Sequence, residues 1–205
     1  MIVKELIGSM LPSIWPLIFF VCIIAVTLRI AYLLHGNNRI VFHKEILHLI
    51  FIVYILCLYY ILTNSDSTSS GINFIPFKEI FRYEFGSYHF YKNIVGNIMM
   101  FVPFGYFSSR YLNSRKCSII LITTAIICTS IEGMQYYLGR VFDIDDIILN
   151  ITGSFVGFLI HVALSAIIDR LPKFMKSDAF INIFIILLIV LIVLFSFNIN
   201  IFSYI

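Results

Sequence analysis

The stretch SIEGMQYYLGRVFDIDDIILNITGSFVG, residues 130–157, runs from the end of one apolar segment, through a polar turn, into the start of another. Charge concentrated between two apolar runs is the pattern of a helical hairpin whose turn lies at a membrane surface. The stretch holds Glu132, Gln135, Arg140, Asp143, Asp145, Asp146 and Asn150, and four of the chain's eleven acidic residues fall within it. Ionisable groups at the edge of a hydrophobic span are costly to keep, which makes these residues the candidate functional site.

The rest of the composition agrees with a membrane reading. Of 205 residues, 60% are apolar and only 12% charged, with a mean hydropathy of +0.99. Ordinary soluble domains carry roughly 25% charged residues. The partner this implies is the lipid bilayer, and no nucleic-acid partner is expected. Cys22, Cys57, Cys117 and Cys128 fall in or at the ends of apolar runs with no C-x-x-C spacing, so they read as small buried hydrophobes. The first apolar run lacks a small-residue cleavage site and reads as a retained anchor rather than a signal peptide.

A bilayer-spanning helix needs about 20 predominantly apolar residues. Runs at 11–34, 45–63, 93–112, 117–138, 147–168 and 180–202 meet this, separated by the polar hinges HGNNR (35–39), NSRK (113–116) and DRLPKFMKSD (169–178). The expected fold is an all-α integral membrane protein, a bundle of about six transmembrane helices plus an interfacial amphipathic helix. Residues 1–63 would form two N-terminal spans, 64–92 an outer loop with the interfacial helix, 93–168 a core of three spans and 169–205 a C-terminal span.

Orientation follows from the Lys and Arg residues of the loops. With both termini outside, Arg39, Lys44, Arg110, Arg115, Lys116, Arg170, Lys173 and Lys176 lie inside, against Lys4, Lys78, Arg82, Lys92 and Arg140 outside. In the outer loop, after the flexible NSDSTSSG, Phe74, Phe77, Phe81 and Phe85 recur at spacings of 3, 4 and 4. Lys78 and Arg82 take the other side, the pattern of a helix lying in the headgroup layer, as an aromatic anchor or as a lid over an outward-facing site.

With this topology Asn97, Glu132 and Asn150 come to similar depth in the outer leaflet from three different helices. Asp146 and Asn150, four apart, share a face that continues through Gly153 and Gly157, where a neighbouring helix can approach closely. The acidic turn would then roof a polar pocket open to the outside. A purely structural account is also available. Asp143 fits the N-cap of the fifth helix, and Asp145 and Asp146 suit its positive dipole end, with Asp145 facing solvent. Asn97, Gln135 and Asn150 serve as interhelical hydrogen-bond glue in that account, and Arg140 pairs with Glu132 or Asp143. Charge weighs for a site: four carboxylates against one guanidinium leave about −3, which invites a cation, an amine or protonated carboxyls.

No H-E-x-x-H, G-x-S-x-G or Walker loop is present, and D-I-D-D-I-I lacks the Gly of a calcium loop. A nucleophilic role for Ser130 has little around it. The better chemistry is a carboxylate general base or a carboxylate-held divalent cation, with Glu132, Asp143 and Asp146 as catalytic or metal-ligating candidates. Asn97, Gln135, Arg140 and Asn150 are the binding candidates.

Four pieces together resemble the VanZ-like family of bacterial membrane proteins. They are INFIPF at 72–77, N-x-x-G-N-x-x-x-F-x-P-F-G at 93–105, I-E-x-x-Q at 131–135 and R-x-F-D-x-D-D-x-x-x-N-x-x-G at 140–153. The resemblance implies a multi-pass protein of the bacterial plasma membrane, whose eponymous member gives teicoplanin resistance. By position its motif residues here are Asn97, Glu132, Gln135, Arg140, Asp143, Asp146 and Asn150. The function it implies is modification or shielding of envelope components. The partners would be a lipid-linked cell-wall precursor or a lipoglycopeptide. The alternative is an intramembrane enzyme using carboxylates or a divalent cation on a lipid-linked substrate.

Overall fold

The computed structural model describes residues 2–35, 41–64, 71–113 and 116–202. The hinge residues 36–39 and 114–115, with the expected inward placement of Arg39 and Arg115, and residues 65–70 of the NSDSTSSG segment lie outside the described residues. In chain order the helices are α1 (Ile2–His35), α2 (Phe42–Asn64), α3 (Gly96–Tyr111), α4 (Cys117–Tyr137), α5 (Ile144–Arg170) and α6 (Asp178–Phe202). Two three-residue strands, β1 (Gly71–Asn73) and β2 (Val141–Asp143), interrupt the all-helical expectation.

Among the described residues, four segments are long and apolar enough to cross a membrane: Ile14–Tyr32, Phe42–Thr63, Cys117–Tyr137 and Ile144–Arg170. Four of the six expected spans are thus shown by length and composition among the described residues. α3 has only 16 residues, short of the roughly 20 a span needs. The apolar part counted in α6 is the shorter Asp178–Val190.

The chain divides into two compact units, residues 1–57 with 170–205, and residues 58–169. In the first, Arg29 grips Glu45 through two hydrogen bonds of 2.8 and 2.9 Å, a bidentate pair joining α1 to α2. The first turn of α2 carries N–H groups with no partner inside the helix. The Asn182 side chain of α6 accepts one of them, from His43 at 3.0 Å. Its Oδ1 also meets His43 Nδ1 at 2.9 Å, and since that oxygen is an acceptor, Nδ1 carries the proton. Asp178 lies 3.7 Å from both His43 Nε2 and Lys44 Nζ.

The second unit holds the hairpin quoted at the start. α3 and α5 meet backbone to backbone. A Cβ placed on Gly153 would overlap the Ile98 carbonyl, one on Gly157 the Val102 carbonyl, and one on Gly105 the Ser154 backbone. This is the close approach that the Gly153 and Gly157 spacing predicts. β1 pairs in parallel with β2 in the register Gly71↔Val141, Ile72↔Phe142 and Asn73↔Asp143. Two turns distant in sequence are thereby fastened side by side.

The interfacial helix is corrected. Residues 74–85 form successive turns with a single 3₁₀ turn at Ile80–Arg82, and Phe77 takes a positive φ of 66°. The helix-like phenylalanine spacing is overridden by a carboxylate. Asp145 accepts the N–H groups of Phe77, Glu79 and Ile80 at 2.5, 2.7 and 3.3 Å, which folds the backbone around an anion instead of along a helix axis. The aromatic rings remain exposed, Phe81 at 83% and Phe85 at 88%. Helix resumes at residue 88 and passes through a π-helical segment, Phe90–Val95, into α3. The Gly96 N–H there reaches back to the Tyr91 carbonyl.

Candidate functional site

β2 ends at Asp143, and α5 begins with the next residue. The Asp143 Oδ1 accepts the Asp145 N–H at 2.9 Å, so the side chain caps α5 as its sequence position predicts. The same oxygen accepts Asn73 Nδ2 at 2.9 Å, from the residue registered opposite it on β1. Burial pushes the Asp143 carboxyl above the usual carboxylate range. The Asp145 N–H and Asn73 offset part of that, and the charges of Asp145 and Glu79 add to it.

Asp145, expected to face solvent, is 1% exposed. Its burial, and the part of Asn73 in the site, are what sequence reasoning missed. Asn73 was signalled by its place in INFIPF. The burial of Asp145 was signalled by nothing, because its partners are backbone groups 65 to 68 residues away.

Two further acids face the helix bundle. Glu132 on α4 is 2% exposed, and its Oε2 accepts the Asp143 N–H at 3.1 Å. Asp146 on α5 accepts Asn97 Nδ2 from α3 at 2.5 Å through Oδ1. Glu132 and Asp146 lie close enough for their charges to repel. The structure therefore gathers Asn97, Glu132, Asp143, Asp146 and Asn150 from α3, α4, β2 and α5.

Gln135 and Arg140 do something else. Gln135 Nε2 and Arg140 Nη1 both donate to the Leu62 carbonyl, at 3.0 and 2.5 Å. That carbonyl is one of the last four of α2, which have no partner inside the helix. Arg140 thus closes a helix end, where an ion pair with Glu132 or Asp143 was expected. Its charge still acts on Glu132 and Asp146. Among the described residues none of Glu132, Asp143, Asp145 and Asp146 makes an ion pair. Nor is any group of three His, Cys, Asp or Glu placed to hold a metal ion. Asp143, one of the three metal candidates, has an oxygen turned to Asn73 and the start of α5.

Below the two acids the α4–α5 seam continues as a polar ladder. One turn down on each helix, the Asn150 side chain hydrogen-bonds Cys128. A further turn down, Thr124 and Ser154 share a hydrogen bond of 2.7 Å. Buried Ile120 and Phe158 occupy the next positions and end the polar run. Ser130 lies off this seam. It is exposed, its hydroxyl donates to Ile126 at 2.8 Å, and with Ala125, Ile126 and Thr129 it lines a surface hollow of about 410 Å³.

Two buried polar atoms of the site have no hydrogen-bond partner among the described residues, Arg140 Nε and Asn150 Oδ1. The arrangement offers oxygens in excess of donors, held by neutral groups in a largely apolar bundle. Comparison with known proteins places this unit. A family model described as VanZ/LLP1 matches residues 46–166, while no curated protein and no solved structure gives a match.

Proposed function

Because the chain belongs to the VanZ/LLP1 family, we propose that its polar site faces outward and engages a cell-envelope component, lowering susceptibility to lipid-bearing glycopeptides such as teicoplanin. The observation that carries this reading is the pair Glu132 and Asp146. The two carboxylates lie together in a helix bundle, each with one oxygen engaged by a neutral donor and neither in an ion pair among the described residues. Buried charges are ordinarily paired or bound to something. The family membership supports an envelope component in that place.

In this reading the protein lies in the bacterial plasma membrane with both termini outside. α3, extended by the helical residues 88–95, and α6 cross with the other four. Phe74, Phe77, Phe81 and Phe85 are exposed, and Asp145 holds the backbone of Phe77. Phe74 packs on Phe142 of β2 with ring centroids 5.4 Å apart. These rings would engage acyl chains while the carboxylates engage a polar or cationic group.

Expression is expected to raise the inhibitory concentration of teicoplanin more than that of vancomycin, which lacks the acyl chain. Glu132→Gln should return teicoplanin tolerance to the level of a strain without the protein, and the double change Phe77→Ser with Phe81→Ser should lower it part of the way. Unchanged teicoplanin tolerance in an expressing strain, with insertion verified, would place the role of the chain elsewhere. The topology has its own check. In intact cells an impermeant thiol reagent should label Glu84→Cys and spare Asn113→Cys in a background without native cysteines, and equal labelling would overturn the orientation.

A further inference from the structure

We infer that the α4–α5 seam binds a primary ammonium group, which names the ligand class of the site proposed above and rests on that reading. The inference starts from the unengaged oxygens. Glu132 receives its hydrogen bond through Oε2 and Asp146 through Oδ1, so Oε1 of the first and Oδ2 of the second have no donor among the described residues. Asn150, one turn below Asp146 on the same face of α5, is 2% exposed and its Oδ1 has no partner. Its amide reaches Cys128, one turn below Glu132 on α4, which puts Asn150 in the seam directly under the acid pair.

Three acceptor oxygens on two neighbouring helices, which meet at Cys128 and Asn150 and at Thr124 and Ser154, are therefore without a donor of their own. Arg140, the nearby cation, already donates to the Leu62 carbonyl. The sealed, unpartnered side-chain atoms among the described residues are Arg140 Nε and Asn150 Oδ1. Glu132 is 2% exposed and Asp146 half-buried, and Asn150 lies one turn below them. Below, Thr124 and Ser154 satisfy each other, and Ile120 and Phe158 close the run.

An ammonium group matches this set. It carries three N–H donors, no acceptor and one positive charge. A trimethylammonium group has the charge without the donors and would leave Asn150 Oδ1 unsatisfied, so the site should separate ethanolamine from choline chemistry. The amine can arrive on a lipid headgroup or on a soluble molecule, and the two are distinguishable.

The test uses the purified full-length protein with equimolar phosphatidylethanolamine and phosphatidylcholine of the same acyl chains. Retained lipid is counted by native mass spectrometry. A second arm measures the Tm with free ethanolamine or choline. Wild type is expected to retain the ethanolamine lipid about tenfold over the choline lipid, roughly what one additional charge-assisted hydrogen bond is worth. Glu132→Gln and Asn150→Ala should bring the ratio to one, and Ser130→Ala, off the seam, should leave it unchanged. If Asn150→Ala does not accumulate, Asn150→Asp keeps the acceptor and should keep the preference.

Selective lipid retention assigns a headgroup, and a Tm rise with ethanolamine but not choline assigns a soluble amine; either supports the inference. Equal retention of the two lipids, together with no Tm difference between the two amines, overturns it. Amine selectivity without any effect on teicoplanin would sink the glycopeptide reading alone. Teicoplanin tolerance lost in Glu132→Gln without amine selectivity would sink this inference alone.

Discussion

Gly153→Leu is expected to leave little or no folded protein in the membrane. Even an alanine methyl at this position would overlap the Ile98 carbonyl of α3, and Gly157 on the same face of α5 and Gly105 across the contact on α3 are equally crowded. The obstructing atoms are backbone, so no side chain can rotate away and α3 and α5 would have to separate along their length. Overpacking a core costs typically 1–3 kcal/mol when side chains can yield. For Gly153→Ala the expected loss is about 3 kcal/mol, the upper end of that range, and the leucine exceeds it. Gly133 on α4 is the matched control, because a Cβ there meets nothing within 4 Å. Gly133→Ala should be neutral or stabilise by about 0.5–1 kcal/mol, the usual gain from replacing a helical glycine. Accumulation in membranes and the Tm of the purified variants would check the series. A Gly153→Leu protein that accumulates and melts like wild type would show that the α3–α5 contact is not needed.

Asp145→Ala should produce the second large effect, confined to the turn at residues 74–82. Three backbone N–H groups lose a buried acceptor together, and hydrogen bonds to a charged group are worth about 1.5–3 kcal/mol each. Because the freed turn can rehydrate, the expected net cost is about 3 kcal/mol, with faster hydrogen exchange at the amides of Phe77, Glu79 and Ile80. Asp145→Asn is not a gentle substitute. Oδ1 serves Phe77 while Oδ2 serves Glu79 and Ile80, and an amide offers one oxygen only, so its NH₂ would face N–H donors. Both variants should loosen residues 74–82 while α4 and α5 keep their exchange protection. Unchanged exchange at those three amides would mean the turn is held by something other than Asp145.

What the sequence showed of this molecule, and what it withheld, divide along the range of the interactions. The helices were legible because hydropathy is a property of consecutive residues, and Gly153 and Gly157 marked the close contact through their spacing alone. Asp143 as a cap and Asp146 beside Asn97 were within reach because caps and depth follow from position along a helix. β1 and β2 were not, since GIN and VFD are too short to carry an alternating pattern and their pairing joins residues 70 apart. The phenylalanines at 74, 77, 81 and 85 misled for a related reason. Their period is helical, but the carboxylate that sets the backbone at Phe77 belongs to α5. Arg140 was assigned a carboxylate partner on charge alone, whereas the carbonyl it closes lies at the end of α2.

The strand pairing has a consequence for how the protein is made. β1 leaves the ribosome well before β2, and the chain between them contains α3 and α4 in full. Asn73 and the turn after it therefore emerge with no counterpart, and they wait while two hydrophobic segments are threaded into the bilayer. Only when Val141–Asp143 appears can the zipper close, and Asp145 arrives two residues later to lock the turn. A ribosome stalled before Val141 would release a chain that holds α1 to α4 but not α5, α6 or the aspartates of the acid site. Assembly of the acid site is thus timed by translation, and it completes only after most of the residues matched by the family model have been made.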